Sequence, residues 1–379
     1  MMWDYDTLRL IWWALVALLL LGYAIMDGFD LGVGALLPFV AKTDMDRRIL
    51  INAIGPTWEG NQVWLVLGLG AIFAAWPAIY ATAFSGMYVA LLVMLFALFL
   101  RPVGFDYRSK LASPVWRSVW DYALFLGGAV PAFVMGVAFG NLLLGVPFHF
   151  DETFRSFYTG GLVDLLNPFS LLVGLVSLSM LVMHGGTFLL IKTEGHLQYR
   201  ALKATRFFAL MTIVLFMLAG YFLVYDVEGY RVISEIDHLA PSTPFALTVE
   251  REVGAWMNNF DVYPWMWLAP FLGVAGALLV SFLGDKKPTL SWVASGLSVA
   301  GIASTAGLAM FPFVLPSSTH PSQSLLMWNA TSSQQTLWLM LIATAIFIPM
   351  IVAYTSWVFK VLKGKITEEH IEKTTFTSY

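Results

Sequence analysis

Long apolar runs alternate with short polar ones along the whole chain. A membrane-spanning helix needs about 20 consecutive, mostly apolar residues. Nine segments qualify: 8–28, 51–76, 80–101, 119–146, 163–191, 206–225, 262–284, 289–315 and 336–359. Segment 51–76 is the least regular, because Thr57, Glu59, Asn61 and Gln62 stand in its first half within "PTWEGNQVW". Residues 60–100 contain no Asp, Glu, Lys or Arg, and this run of 41 is about twice the length of one span. "AAWPAIY" breaks it at Trp76–Pro77, since proline lacks the amide that a helix interior requires and crowds the preceding turn. The pattern predicts a helical hairpin there.

Charge tests the count, because Lys and Arg accumulate in the cytoplasmic loops of membrane proteins. With nine spans and the N-terminus outside, 17 of the 21 Lys and Arg residues fall on the cytoplasmic side. Only Arg9, Arg155, Arg231 and Arg251 fall on the other. Removing span 51–76 would place every later loop on the wrong side relative to the first, so it is retained. The reading is an all-α polytopic membrane protein with nine transmembrane helices, a periplasmic N-terminus and a cytoplasmic C-terminus. Composition agrees: 12% of residues are charged and mean hydropathy is +0.75, against roughly 25% charged residues in soluble domains. The chain has no cysteine, which excludes disulfides, zinc–thiolate sites, iron–sulfur clusters and covalent c-type haem attachment. "MMWDYDTLRL" lacks the positive n-region of a secretory signal peptide, so the first apolar run is expected to stay as a span. Nothing in the charge pattern suggests a nucleic-acid partner.

Between the spans, the outside segment 226–261 reads as a connecting loop, with a short helix or a stretch lying along the surface as the alternatives, and "ITEEHIEKTTFTSY" as a solvated cytoplasmic tail. Thr331 or Ser332 is placed to cap the ninth helix.

Ionisable groups within a bilayer are costly and point to function. Only Glu59 and His184 stand well inside predicted spans, while Asp27, Asp30, Arg101, Asp106 and Asp121 lie near cytoplasmic helix ends. Two readings of Glu59 stand side by side. If Pro56 opens the helix, Glu59 sits in the first turn and complements the helix dipole. If the helix starts near Ile51, the carboxyl group lies about 12 Å deep and, beside Asn61 and Gln62, can exchange protons in a hydrated pocket. His184 in "LVMHGGTF" is either a hydrogen-bonded packing residue or a haem ligand, with Gly185–Gly186 permitting close approach of a helix or ligand. Arg101, Asp27, Asp30 and Asp121 read as one interfacial ion network, or as a group facing the acid of a cofactor. No metal site is assigned.

The blocks "IWWALV", "DGFDLGVG", "WEGNQVW", "FAAWPAIYA", "FSGMYVALL", "RPVGFDYRSK", "VAFGNLLLGVPF", "MFPFVLPSS" and "WNATSSQQTL" resemble subunit II of the cytochrome bd-type quinol oxidases. These are terminal oxidases of the bacterial inner membrane. The likeness extends over nearly the whole chain. It implies two four-helix bundles plus one peripheral helix: residues 1–146 for the first bundle, 147–359 for the second with the extra helix and loop 226–261, and 360–379 as a cytoplasmic tail. It implies a complex with a larger subunit I and a small single-span accessory subunit, in which ubiquinol is oxidised at the outer face and O2 is reduced to water. Low-spin haem b would lie on subunit I, and high-spin haem b and haem d would form the oxygen site in conjunction with it. Protons for water would come from the cytoplasm and quinol protons would leave outside, building a proton-motive force. Glu59 matches the family acid assigned to a cytoplasmic proton path, in the same block as Asn61 and Gln62. Asp30, Arg101 and Asp121 match positions assigned to support of the haem site, with Asp27 and Asp106 as secondary candidates. His184 falls where members differ. Some members bind ubiquinone in this subunit, though no residue here locates it.

Two other functions stay open on the residues alone. One is a proton-coupled secondary transporter using Glu59 and the Asp27–Arg101 group, against which stands the lack of an inverted repeat or paired broken helices. The other is a scaffold that only docks a partner.

Overall fold

Ser and Asn at the loop–helix junctions start several long helices of this structure, a computed structural model that describes residues 3–373. Ser113, Asn167 and Ser333 each accept a hydrogen bond from an amide of the turn they cap, and Pro114 and Pro168 occupy the first helical position behind the first two. A side-chain oxygen satisfies an otherwise orphan amide there, and proline has none to lose. The ninth predicted span is therefore capped by Ser333 rather than Thr331 or Ser332. Thr331 instead bonds Arg9, and Ser332 donates to the Ala74 carbonyl.

The helices run in chain order as α1 (Tyr5–Met26), α2 (Gly28–Val40), α3 (Asp44–Ile54), α4 (Trp58–Ala75), α5 (Pro77–Gly86), α6 (Tyr88–Tyr107) and α7 (Pro114–Leu144). They continue as α8 (Pro168–Lys192), α9 (Gly195–Tyr225), α10 (Asn258–Val262), α11 (Leu268–Leu283), α12 (Pro288–Met310), α13 (Gln334–Val361) and α14 (Glu368–Lys373). Among the described residues, eight helical stretches are long and apolar enough to cross a membrane, and nine if the bent pair α4–α5 counts as one span. α1 and α2 form a single apolar stretch of 36 residues, longer than the predicted 8–28. α2 is buried along almost its whole length between α7 and α8. The approach is close because of glycine: a Cβ on Gly185 of α8 would lie 2.5 Å from the Val33 amide nitrogen of α2. The expected tolerance of Gly185 for a close helix is thus realised by α2. α1 packs on α4 and α12, α8 on α9 and α12, and α11 on α9 and α12. α13 is peripheral, with Leu337 as its one buried residue.

Two predicted boundaries change. Segment 51–76 is not one helix: α3 ends at Ile54, a turn through Gly55–Thr57 follows, and α4 begins at Trp58. The Trp76–Pro77 break is present, but it bends α4 against the short α5 by 119° and the next span begins only at Tyr88. Residues 80–86 thus belong to α5 rather than to the third span.

Outside the spans, the described residues form three two-stranded hairpins: β1 (Phe148–Phe150) with β2 (Ser156–Tyr158), β3 (Glu228–Val232) with β4 (Val249–Val253), and β5 (Phe313–Leu315) with β6 (Leu325–Leu326). Loop 226–261 is therefore more than a connector. It carries β3, β4 and α10, and it is tied down by Arg9. The Arg9 guanidinium is fully buried over the Tyr5 ring and donates to Thr331 Oγ1 (2.8 Å) and to the carbonyls of His238 (2.6 Å) and Ala240 (3.0 Å). The tail is likewise not free. The Lys192 ammonium donates to the Leu362 carbonyl (2.5 Å), Ile366 N–H donates to the Lys192 carbonyl (2.8 Å), and Ile371 is fully buried. The remainder of the tail, residues 374–379, lies outside the described residues.

Candidate functional site

Asp27 marks the turn from α1 into α2, and Asp30 stands in the first turn of α2. Arg101 reaches Asp27 from α6 through a two-pronged pair, Nη1 to Oδ2 at 2.9 Å and Nη2 to Oδ1 at 2.7 Å. The planar guanidinium fork matches the two carboxylate oxygens, which makes this geometry stronger than a single contact. Gly127 of α7 leaves the room: a Cβ there would meet Arg101 Cγ at 2.9 Å. The Trp58 ring of α4 lies 5.4 Å from the guanidinium carbon.

Asp30 lies beside this pair without joining it. Its Oδ2 accepts from Asn61 Nδ2 at 2.7 Å, and its Oδ1 is buried with no partner. Asp27, Asp30, Asn61 and Arg101 are each no more than 2% exposed. A cavity of about 10 Å³ of water-centre space adjoins them, lined by Asp30, Arg101 and apolar side chains of α2, α3, α6 and α7. That is about the room one water molecule needs, and Asp30 is on its wall.

The sequence reading put Asp121 in the same network, and the structure separates it. Asp121 Oδ1 accepts from Arg108 Nε at 2.5 Å, and its Oδ2 accepts from Arg47 Nη1 at 2.7 Å. Arg108 also bonds Asp44 at 2.9 Å, and Asp44 pairs with Arg117 at 2.8 Å. Arg108 stands seven residues beyond Arg101, about two helical turns further along, which is why each acid finds its own arginine. Arg47, Asp44 and Arg108 were not singled out from sequence. One signal was available for the helix of Asp44 and Arg47: Thr43 and Asp46 form a capping box at the start of α3, the pattern that announces a helix ahead of an apolar run. Asp106 is exposed and joins neither cluster.

Glu59 is in the first turn of α4 and exposed, and it makes no hydrogen bond or ion pair among the described residues. A start at Trp58 removes the deeper placement that a helix from Ile51 would have given. Residues two apart on a helix are about 200° apart around it. Glu59 therefore faces outward while Asn61 faces Asp30, and Gln62 is half-buried between them. The three do not line one channel inside this chain.

His184 is fully buried, and both ring nitrogens are engaged. The Ile25 carbonyl can only accept, so Nε2 donates to it (3.0 Å), and Nδ1 accepts from the Ser295 hydroxyl (2.7 Å). The ring stacks over Trp292 at 6.1 Å between centroids. It is a satisfied packing residue with no ring nitrogen left for iron. Among the described residues no three His, Asp or Glu side chains gather to hold a metal ion.

Comparison with known proteins follows from this geometry. Residues 8–362 match the family model described as cytochrome bd terminal oxidase subunit II. The chain is 52% identical over 377 residues to the probable cytochrome oxidase subunit 2 of Haemophilus influenzae, covering 99% of this chain and 100% of that one. It is 50% identical over 378 residues to cytochrome bd-I ubiquinol oxidase subunit 2 of Escherichia coli K12, with the same coverage. Against cytochrome bd ubiquinol oxidase subunit 2 of Bacillus subtilis the identity is 32%, covering 95% and 97%. The solved structure of the bd oxidase from Geobacillus thermodenitrificans contains a chain of the same fold, with TM-score 0.69, 17% identity, and coverage of 94% of this chain and 98% of that one.

Proposed function

The chain belongs to the cytochrome bd terminal oxidase subunit II family, and from that premise we propose that it carries protons from the cytoplasm toward the oxygen-reducing site of its complex. Membership makes it a multi-pass protein of the bacterial inner membrane and a subunit of a haem-containing oxidoreductase that includes a subunit I. In the proposed complex ubiquinol is oxidised, O2 is reduced to water, and the separation of the two proton sites builds a proton-motive force. Two four-helix bundles, α1/α2–α7 and α8–α12, with α13 at the periphery and the N-terminus periplasmic, form the proposed architecture. Because His184 is taken, haem ligation is assigned to the partner.

The observation that carries the proposal is the free Oδ1 of Asp30 beside a water-sized cavity. One guanidinium faces two buried carboxyl groups, Asp27 and Asp30. Arg101 balances one of them, so the cluster is neutral when it carries one further proton, and neutrality is strongly favoured where water is scarce. Asp30 is the proposed seat of that proton. Asn61 holds its Oδ2, which leaves Oδ1 to exchange with a water in the cavity. Glu59, exposed on the opposite face of α4, is the proposed acid at the mouth of the path, on a surface available to the partner subunit.

In the assembled complex, Glu59→Gln and Asp30→Asn test this reading. Quinol-driven oxygen uptake should fall about 100-fold or more, the range typical for loss of one proton-transfer group, with haem absorption unchanged. Wild-type turnover with intact haems in both variants overturns the proton path. Loss of haem d absorption with Asp30→Asn assigns that residue to support of the haem site instead.

A further inference from the structure

The proposed proton site has a cytoplasmic wall, and that wall is held from behind by the end of the chain. α3 lies in the segment between α2 and α4 and contributes Leu50, Ile51 and Ile54 to the lining of the Asp30 cavity. Its first turn is fixed by the Thr43–Asp46 capping box, by Arg200 on Asp46 (2.7 Å) and by Arg47 on Asp121 (2.7 Å). The apolar residues of the helix are closed over by the tail. α14 packs on α3. Ile371 is fully buried in the same apolar cluster as Ile49, Leu50, Ile51 and Ile54, with Ile366 against it. The route to that contact is itself tied, by the Lys192 ammonium on the Leu362 carbonyl and the Ile366 amide on the Lys192 carbonyl.

We propose that residues 362–373 act as a strap that presses α3 onto the Asp30–Arg101 cavity, so that Ile371 and Lys192 are positioning residues setting how readily cytoplasmic water reaches Asp30. α3 is a short helix of 11 residues, a length that is marginal without tertiary packing. Its closed position therefore depends on what covers it. The polar side of α3 holds it near the cytoplasmic surface, and the strap supplies the apolar contact on its other side. Release of the strap uncovers the one wall of the cavity that is not part of a long spanning helix. This inference rests on the reading of Asp30 as a proton site, but the seal itself is measured separately.

The absence of cysteine in the chain makes that measurement direct. Leu37→Cys places a single thiol on the cavity wall, and inside-out vesicles holding the assembled complex are treated with a small, charged, membrane-impermeant thiosulfonate. The labelling rate is read from the intact mass of this chain. Ile371→Asn should speed labelling about tenfold or more, since a polar group in an apolar contact shifts the local opening equilibrium by that order, and Ile371→Val should restore the slow rate. Lys192→Met, which removes the tie to Leu362, should give a smaller acceleration and decides the matter if Ile371→Asn does not assemble. Labelling at the unaltered rate in the assembling variants, with haem absorption intact, overturns the strap. Faster labelling together with full oxygen uptake by Asp30→Asn upholds the strap and rejects the proton role of Asp30, so the two failures are distinct.

Discussion

Arg101 and Arg108 stand two turns apart at the end of one helix, yet the ion pairs they make belong to different solvents. The inner pair, Arg101 with Asp27, is at most 3% exposed on either side chain. The outer group grades from Arg108 and Asp121, 1% and 3% exposed, through Arg47 at 28% to Asp44 at 42%. The inner cluster holds one cation for two carboxyl groups, and the outer one holds three for two. An excess of arginine in a partly exposed cluster is compatible with neighbouring water. An excess of acid in a dry interior makes the proton count consequential. The same residue types thus sit in two different settings, and depth is what separates them.

The contrast is broken most severely at Arg101. Arg101→Met leaves Asp27 buried without its partner, a situation that costs about 3–5 kcal/mol, and should abolish recovery of a haem-bearing complex. Asp121→Asn strips Arg108 of its main partner but leaves Asp44 within reach. The expected loss is about 1–3 kcal/mol, read as a lower melting temperature by tryptophan fluorescence with the complex still assembled. Equal losses from the two substitutions would erase the distinction drawn here. Acid probes a third position, Asp46. Burial favours its protonated form, but the Thr43 and Lys42 amides and Arg200 outweigh this and hold the carboxyl below its usual range. The folded state therefore gains stability above the ordinary carboxylate value and loses it as pH falls through the lowered one. Hydrogen exchange in α3 should rise over that acidic window and lose its pH step in Asp46→Asn; the gain involved is under about 1 kcal/mol for so solvated a pair. Least is expected at Arg117, where the pair with Asp44 is 30% and 42% exposed. Arg117→Ala should shift stability by about 0–1 kcal/mol, and moderate salt should remove even that difference.

Much of the fold was legible because a bilayer imposes length and charge rules that leave few alternatives. Run length identified the apolar stretches, and "AAWPAIY" marked a true break. What escaped were events shorter than a span. α3 was absorbed into segment 51–76 because its apolar residues run directly into those of α4, and only the Gly55–Pro56 turn divides them. α5 was absorbed into the next span for the same reason. The tail read as solvated because a few apolar residues among many charges carry no period, although Ile371 is fully buried. In the site, Asp30 and Arg101 were found through the cost of charge in a membrane. That cost does not say which acid meets which arginine. Grouping Asp121 with Arg101 failed because helix position, not sequence nearness, decides reach. Likewise Glu59 and Asn61 share a block of sequence and face opposite ways, since one helical step turns about 100°.

The Arg9 clamp carries a consequence for the order of events during synthesis. Arg9 belongs to the first span to emerge, but the carbonyls it needs lie at His238 and Ala240, and its side-chain acceptor lies at Thr331. For most of translation those acceptors are not yet made, and the guanidinium has only the Tyr5 ring beside it. Its burial becomes possible only when the last span is being made. The clamp is thus closed by a residue made early and satisfied late.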